Sequence, residues 1–332
     1  MDSVLLVGGA GYIGAHTAKY LAGQGYLPVV YDNLSRGHRE VVKWGPLEIG
    51  DIADGPRLVE VLTKHAPVAV LHFAALAYVG ESVTDPALYY RTNVAGTLSL
   101  LEAMRATGVN KIVFSSTCAT YGVPRSVPIV EESSQNPINP YGRTKLMVEQ
   151  VLADYGAAYD LKSMCLRYFN AAGADPDGEV GEDHEPETHL IPLVLEVAAG
   201  RRPSVDINGN DYPTPDGTCV RDFIHVTDLA QAHFLAVRHL VAGGASMNLN
   251  LGNGTGYSVR QVIDAAERVT GQKIAVVHRP RRPGDPPELV GSAEKARAVL
   301  GWRPEYASID SIIGTAWTWH SRGRHAPASG SR

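Results

Sequence analysis

Close to its start the chain runs Val4-Leu5-Leu6-Val7 and then directly into Gly8-Gly9-Ala10-Gly11-Tyr12-Ile13-Gly14. The unbroken apolar run predicts a strand over 3–7 that is buried on both faces, as in a parallel sheet. Three glycines spaced three apart predict a tight turn that feeds a helix beginning near Tyr12. Gly8 permits the turn, Gly11 lets backbone approach a pyrophosphate, and Gly14 lets the helix pack on the strand. The helix N-terminus adds free N–H groups and partial positive charge, which suit phosphates. A glycine triplet alone also occurs with no ligand, so the reading rests on the strand before it, the helix after it and an acid at the right distance. Asp32 is that acid, ending the apolar run Pro28-Val29-Val30-Tyr31, 18 residues beyond Gly14. A carboxylate there accepts from both hydroxyls of an adenosine ribose and repels a 2′-phosphate. The pattern points to NAD rather than NADP, with the nearby Arg36 as a group that could weaken the preference.

Strand and helix patterns alternate through the first half. Strands are expected over 28–32, 47–52, 68–75, 111–116 and 162–169, and helices over 12–22, 57–65, 86–107 and 141–159. This predicts an α/β fold, a Rossmann-type doubly wound parallel sheet with ligands at the C-terminal ends of its strands. At one such end Asp51 can accept from an adenine amino group and Ile52 can cover the ring. Asn93 is a polar residue inside the 86–107 helix, and its plainest reading there is a solvent-facing asparagine. The second half changes character. Residues 174–189 are acidic and rich in Gly, Pro and Asp, a long loop of the kind that tends to be functional. Helices are expected over 190–199, 226–241 and 259–270 and from near 308, and strands over 247–251 and 274–278. Residues 206–222 are a Gly/Pro/Asp-rich stretch, and 279–285 read as a basic, Pro-rich loop. The expected division is 1–170 for NAD binding with the catalytic residues, and 171–320 mainly as a smaller mixed α/β substrate domain. Some segments of the latter return to the first sheet, and 321–332 form a disordered tail.

Among 332 residues the net charge is −5, with 20% charged and 44% hydrophobic, which suits a soluble globular protein and gives no nucleic-acid or membrane-surface footprint. No apolar run approaches the roughly 20 residues of a membrane span. The first strand begins at residue 3, so no signal peptide is expected before it. Cys118, Cys165 and Cys219 lie far apart with neither metal-ligand spacing nor a disulfide framework. The expectation is a cytoplasmic protein with no metal.

Tyr141 and Lys145 lie four apart at a helix start, and so share a face. Thr117 ends the neighbouring strand. A free tyrosine titrates near pH 10 and is a poor base at neutrality. A lysine ammonium nearby, together with a positive nicotinamide ring, is expected to lower that pKa. Tyr141 can then take a proton from a substrate hydroxyl while hydride leaves the same carbon, with Thr117 sharing the hydrogen bond.

With these residues in hand the chain resembles the extended short-chain dehydrogenases, and within them the UDP-glucose 4-epimerases, over essentially its whole length to about His320. The resemblance rests on 8–14, 31–34, His72-Phe73-Ala74-Ala75, Val79-Gly80-Glu81-Ser82, 141–150 and Arg167-Tyr168-Phe169-Asn170. It continues through 209–214, Val220-Arg221-Asp222-Phe223-Ile224-His225-Val226 and Arg281-Arg282-Pro283-Gly284-Asp285. It implies reversible epimerisation at carbon 4 of UDP-glucose and UDP-galactose, through a 4-keto sugar and a tightly held NAD. It makes Tyr141 the acid/base, Lys145 the ligand of the nicotinamide ribose and Thr117 the partner of the sugar 4-hydroxyl. Tyr12, Ile13, Asp32, Asn33, Arg36, Gly37, Asp51, Ile52, Phe73, Ala74, Ala75, Asn93, Ser115 and Phe169 fall on NAD-contact positions. Asn170, Leu190, Arg221, Arg282 and Asp285 fall on positions that hold the UDP-sugar, and guanidinium forks suit a diphosphate. A homodimer through the 86–107 and 141–159 helices is implied as well.

The chain departs from the family pattern in places. Ala77 replaces a lysine near the cofactor phosphates, and Asn208 replaces an aromatic near the uracil. His189 stands where an asparagine often meets the substrate, and it reads equally as substrate-facing or as a neighbour of a helix N-cap. Leu289 occupies the position that limits sugar size. Its intermediate bulk keeps UDP-N-acetylhexosamines open, and UDP-arabinose/UDP-xylose fit any pocket that takes a hexose. Sugar-nucleotide 4,6-dehydratases carry an Asp-Glu pair after the strand-end threonine, where this chain has Cys118 and Ala119, neither able to eliminate water. A non-catalytic NAD or UDP-sugar sensor has no need of Tyr141, Lys145 and Thr117 together.

Overall fold

The computed structural model describes residues 1–282 and 285–322. Pro283, Gly284 and residues 323–332 of the expected tail lie outside the described residues.

Strand β1 (Ser3–Val7) is buried along its whole length, as its apolar sequence requires. The glycine turn leads into α1 (Tyr12–Gly23), β2 (Leu27–Asp32) and β3 (Leu47–Ile49). Then come α2 (Gly55–His65), capped by the Asp54 side chain and started by Pro56, and β4 (Ala69–His72). A short helix α3 (Val79–Thr84) precedes a longer helical run of three parts. These are α4 (Pro86–Tyr89), a widened π-helical turn over Tyr90–Ala95 and α5 (Gly96–Thr107). β5 (Lys111–Ser115), α6 (Pro140–Tyr159), β6 (Lys162–Tyr168) and β7 (Asn170–Ala172) complete the first half.

The second half holds α7 (Leu190–Ala198), β8 (Val205–Asn208), β9 (Val220–Arg221), β10 (Phe223–His225), α8 (Val226–Val241) and β11 (Met247–Leu251). It ends with β12 (Tyr257–Ser258), α9 (Val259–Thr270), β13 (Val276–Arg279), β14 (Glu288–Leu289), α10 (Glu294–Leu300) and α11 (Ile309–Ser321). None of the described helices is long and apolar enough to cross a membrane.

Seven parallel strands form the central sheet in the order β11-β6-β5-β4-β1-β2-β3. The chain builds outward from β1 to β3, then restarts at β4 on the other side of β1. That reversal opens a crevice at the C-terminal ends of β1 and β4, where ligands of such sheets bind. Side chains alternate along β1: Val4 and Leu6 join the core under α1 and α8, while Leu5 and Val7 join the core under α2, α5 and α6. Such fully buried leucines each cost about 2–5 kcal/mol when cut to alanine. A third core lies between α7, α9, α11 and the small strands β8 and β10, and β11 returns from this half to edge the large sheet.

Several expectations needed correction. The strands expected over 47–52 and 68–75 are shorter, because Gly50-Asp51-Ile52 and Phe73-Ala74-Ala75 leave the sheet to line its C-terminal edge. The 86–107 helix is interrupted by its π turn, and the 206–222 stretch contains strand residues. Ser321 belongs to α11 rather than the tail, and Arg322 reaches back to the Asp177 carbonyl at 3.4 Å.

Candidate active site

Gly8 follows β1 with a left-handed backbone, φ 82°. A Cβ on Gly8 would sit 2.4 Å from the Ala74 nitrogen, and one on Gly14 would sit 2.7 Å from the Gly8 carbonyl oxygen. Both glycines are demanded by the protein itself. Gly11 differs, because its backbone is ordinary (φ −82°, ψ 174°) and a Cβ there would meet only the Gly8 oxygen, at 3.5 Å. Gly11 therefore keeps clear the space in front of α1. It is also the N-cap of that helix, and no side chain caps the first turn. The first-turn N–H groups of Tyr12, Ile13 and Gly14 are left for an anion, so the cradle fits a diphosphate.

Asp32 faces this turn, buried, with Oδ2 accepting from Ala10 N at 3.0 Å and Oδ1 from Leu34 N at 2.8 Å. Each oxygen retains a further lone pair, and burial pushes the carboxyl above its ordinary pKa. The 33–37 loop lies on the glycine turn so closely that a Cβ on Gly37 would come within 2.8 Å of the Ala10 carbonyl. Asn33 donates to the Asp51 carboxylate at 2.8 Å, and Ile52 packs under Gly96. Arg36 is engaged elsewhere, with Nη2 on the Glu81 carboxylate at 2.8 Å, so it does not oppose Asp32. The Tyr12 hydroxyl donates to the Gly173 carbonyl at 2.6 Å.

From β4, the N–H groups of Phe73 and Ala74 both donate to the Val7 carbonyl at 2.8 Å, which turns Ala74 and Ala75 across the end of β1. Asn93 is not solvent-facing, being only 2% exposed. The π turn aims it at the strand end, where its amide bonds both backbone groups of Leu76 and the Thr144 hydroxyl.

The catalytic candidates meet at the end of β5. Asn139 caps α6 by accepting from Gly142 N at 2.8 Å. A Cβ on Gly142 would sit 2.6 Å from the Ala119 carbonyl oxygen. That close approach sets Tyr141 beside Thr117, whose hydroxyl accepts from Ala119 N at 3.2 Å. Lys145, 3% exposed, donates to the Ser115 carbonyl at 2.8 Å and stands 4.7 Å over the Phe114 ring. Burial pushes this lysine down to about 7.

Lys145 and a positive nicotinamide ring together are expected to lower the Tyr141 phenol, and the chain by itself supplies only the first of them. Burial pushes the phenol up, Tyr168 and Cys118 add to it, and only Thr117 acts the other way. Lys145 is directed at the Ser115 carbonyl and is not among the groups that act on the phenol. Behind the pair, the Ser115 hydroxyl meets the Tyr168 hydroxyl in a short hydrogen bond. Ser116 donates to Glu149, which forms a buried ion pair with Arg167 at 2.6 Å.

On the opposite wall Asn170 donates to the Asp222 carbonyl at 2.9 Å, and Phe169 covers Gly291. Arg221 forms a short ion pair with Asp285, and Leu289 lies level with Arg221 on the neighbouring strand. The Arg221 charge also reaches Cys118, drawing its thiol down against a burial that leaves it at about 12. Asn208 faces Arg282, its amide oxygen 3.3 Å from Nε and 3.2 Å from Nη2 when turned to accept. Leu190 opens α7. His189 holds its N-cap position without a side-chain capping bond, and its ring turns instead to Glu182 and Glu187, at 2.8 and 3.1 Å.

A family model described as the NAD dependent epimerase/dehydratase family matches residues 4–252. This chain belongs to the NAD dependent epimerase/dehydratase family. It is 58% identical over 321 residues to a UDP-glucose 4-epimerase of Rhizobium leguminosarum bv. trifolii, covering 97% of this chain and 98% of the relative. Among solved members of the epimerase/dehydratase family, the UDP-glucose 4-epimerase of Brucella ovis in complex with NAD superposes with a TM-score of 0.94. The two are 59% identical, with 96% of this chain and 98% of that one covered. The UDP-glucose 4-epimerase of Stenotrophomonas maltophila, with bound NAD and formylated UDP-arabinopyranose, also gives 0.94 at 41% identity, covering 98% and 100%.

Motif reading for this epimerase/dehydratase member missed Glu149, Tyr168 and the carboxylates Glu182 and Glu187. The first two lie inside the stretches 141–150 and 167–170, but their contacts, Ser116 to Glu149 and Ser115 to Tyr168, join residues far apart in the chain. The last two had a signal in Glu182-Asp183-His184-Glu185-Pro186-Glu187-Thr188-His189, which composition alone renders as an acidic loop.

Proposed function

We propose that the chain is an NAD-dependent UDP-glucose 4-epimerase that interconverts UDP-glucose and UDP-galactose. The observation that carries this reading is the end of β5. Thr117 and Tyr141 stand together there, and the next two residues are a thiol held protonated by burial and an alanine. Neither can remove or deliver a proton for elimination of water, so an oxidised carbon 4 has only one fate, reduction again.

Tyr141 Oη takes the proton of the sugar 4-hydroxyl in one direction and returns it in the other, with Thr117 holding that oxygen. Lys145 serves the cofactor ribose and Ser115 the adjoining wall. The cradle of Gly8, Gly11 and Gly14 takes the diphosphate, and Asp32 takes the adenosine ribose. When bound, NAD supplies the nicotinamide ring that accepts and returns the hydride of carbon 4. Residues 1–170 carry the cofactor, and 171–320 mainly carry the UDP-sugar. Arg221 and Arg282 bind its diphosphate, Asp285 exchanges its Arg221 partner for a ribose hydroxyl, and Asn170 and Leu190 hold the sugar side. Leu289 limits bulk at the sugar.

The test is incubation with UDP-galactose and no added NAD, followed by chromatography. UDP-glucose is expected, and a 4-keto-6-deoxy product or unchanged substrate in NAD-loaded protein would refute the reading. We also infer a homodimer through α5 and α6, whose Leu98 and Met147 are 37% and 40% exposed. Light scattering at the mass of one chain would contradict it. Three free cysteines support a place in the cytoplasm.

A further inference from the structure

Two clusters of metal-ligating side chains lie in the 174–189 loop. In the first, Asp175, Asp177 and Glu179 surround the Lys19 ammonium at 2.8, 2.7 and 2.7 Å. A cation already fills it, and it needs no other.

The second cluster is built differently. Glu182, His184, Glu187 and His189 each turn one ligand atom inward, and all four atoms lie within 4.8 Å of one another. Nδ1 of His189 is 2.8 Å from Glu182 and 3.1 Å from Glu187, and Nδ1 of His184 is 3.2 Å from Glu182 and 3.7 Å from Glu187. Four ligands about 2.05 Å from a zinc ion stand ~3.3 Å apart along the edges of a tetrahedron. The four nitrogen–oxygen separations, which reach Oε1 of Glu187 from His189 and Oε2 from His184, bracket that edge. Among the described residues, Glu182 and Glu187 pair with His184 and His189 rather than with a lysine placed as Lys19 is.

A second observation points the same way. Nδ1 of His184 has no exposed surface, and despite two carboxylates nearby it makes no hydrogen bond in acceptable geometry. A nitrogen that faces two carboxylates without a hydrogen bond closed to either is placed for an ion that all of them share. The carboxylates are pre-set for it. Glu187 Oε1 accepts from Thr188 N at 2.7 Å and His189 N at 2.8 Å. The Glu182 carbonyl accepts from Trp319 Nε1 at 3.2 Å, and that indole packs so closely on Gly181 that a Cβ there would clash at 2.3 Å. Such support behind the ligands is what metal sites require. The carboxylates are 4% and 5% exposed, while His189 at 46% marks the way in.

We propose that Glu182, His184, Glu187 and His189 form a tetrahedral site for a divalent cation of the zinc class. Two carboxylates and two neutral imidazoles carry a charge of minus two, which such an ion balances. The ion ties the 174–189 loop to the start of α7. It also stands against the glycine turn, because the Tyr12 and Tyr78 rings meet the His184 ring edge-on at 6.1 and 6.2 Å. Its role is positioning: it fixes Tyr12 on one side and Leu190 on the other. The site stands independently of the epimerase reading.

The experiment uses the full chain, purified without chelator and dialysed against metal-free buffer. Elemental mass spectrometry is expected to find one zinc per chain. Protein stripped and reloaded with cobalt(II) alone is expected to show the visible bands of a four-coordinate ion. Glu182→Gln and His184→Gln should each lose both signals with unchanged far-ultraviolet circular dichroism. Should Glu182→Gln fail to fold, the more open His184→Gln decides. Folded wild-type protein that retains no zinc and gives no cobalt bands overturns the proposal in favour of two imidazolium–carboxylate pairs. Variants that bind cobalt as the wild type does overturn it as well.

Discussion

Asn93 bonds Leu76 twice: its Oδ1 accepts from the Leu76 N–H at 2.9 Å, and its Nδ2 donates to the Leu76 carbonyl at 3.1 Å. A side-chain amide thus substitutes for a neighbouring strand just where the chain leaves β4. The segment it holds, Ala74 to Leu76, crosses the end of β1 beside the glycine turn.

Asn93→Leu keeps the volume and removes both bonds. It leaves two backbone groups partly buried without partners and is expected to cost about 1–3 kcal/mol. Chemical denaturation measures it. NAD retained through gel filtration should fall in the same variant, because the wall beside the cradle is released. A variant as stable as the wild type would refute the bracing role.

Legibility in the sequence followed the range of the forces involved. β1, α8, β11 and α9 stand where apolar period and caps put them, because each is buried enough for its own residues to decide. The pairs β9–β12 and β9–β14 were not legible, since two-residue strands carry no period and their partners lie far along the chain. The glycine turn and the Tyr141–Lys145 spacing are local and were read directly. The direction of Asn93 was not, because a π turn rotates the face that ordinary helical spacing assigns. The charge state of Tyr141 depends on burial from several elements at once, so sequence spacing gave only its neighbour, Lys145.

The three glycines of the opening turn should separate by experiment. Gly8→Ala meets both a left-handed backbone and an atom at 2.4 Å and is expected to fold poorly. Gly11→Ala meets neither, so its thermal stability should stay within about 1 kcal/mol of the wild type, while NAD affinity falls. Melting and NAD titration of both variants check this. A Gly11→Ala chain that melts early with NAD affinity intact would contradict the cradle.

Lys145 makes stability depend on pH in a defined direction. Its folded pKa, about 7, lies below the ordinary 10.5, so above pH 7 the unfolded chain holds a proton that the folded chain lacks. Stability of the nucleotide-free protein therefore rises from pH 7 to 9, by up to about 1.4 kcal/mol per unit from this group. Lys145→Met should flatten that rise. Denaturation curves at pH 7, 8 and 9 test it, and parallel pH profiles for the two proteins would count against a depressed lysine.

Below neutrality four buried neutral histidines act together. His16 and His233 are pushed down to about 4, and His72 and His225 to about 3, burial being the leading cause in each. Between pH 6.5 and about 4 the unfolded chain gains protons that the folded chain refuses, so stability falls steeply there. His233→Leu, at a ring nitrogen with no hydrogen-bond partner, should reduce that slope. Acid denaturation monitored by circular dichroism checks it, and an unchanged slope would sink the assignment.

The central claim is that Tyr141 moves the proton of the sugar 4-hydroxyl while NAD stays in place, and Tyr141→Phe tests it most directly. Wild-type protein with only its own NAD should bring UDP-galactose to a mixture with UDP-glucose. The variant should keep its fold and its NAD yet turn over at least about 100-fold more slowly. A Tyr141→Phe protein that reaches the same mixture at the wild-type rate would contradict the account.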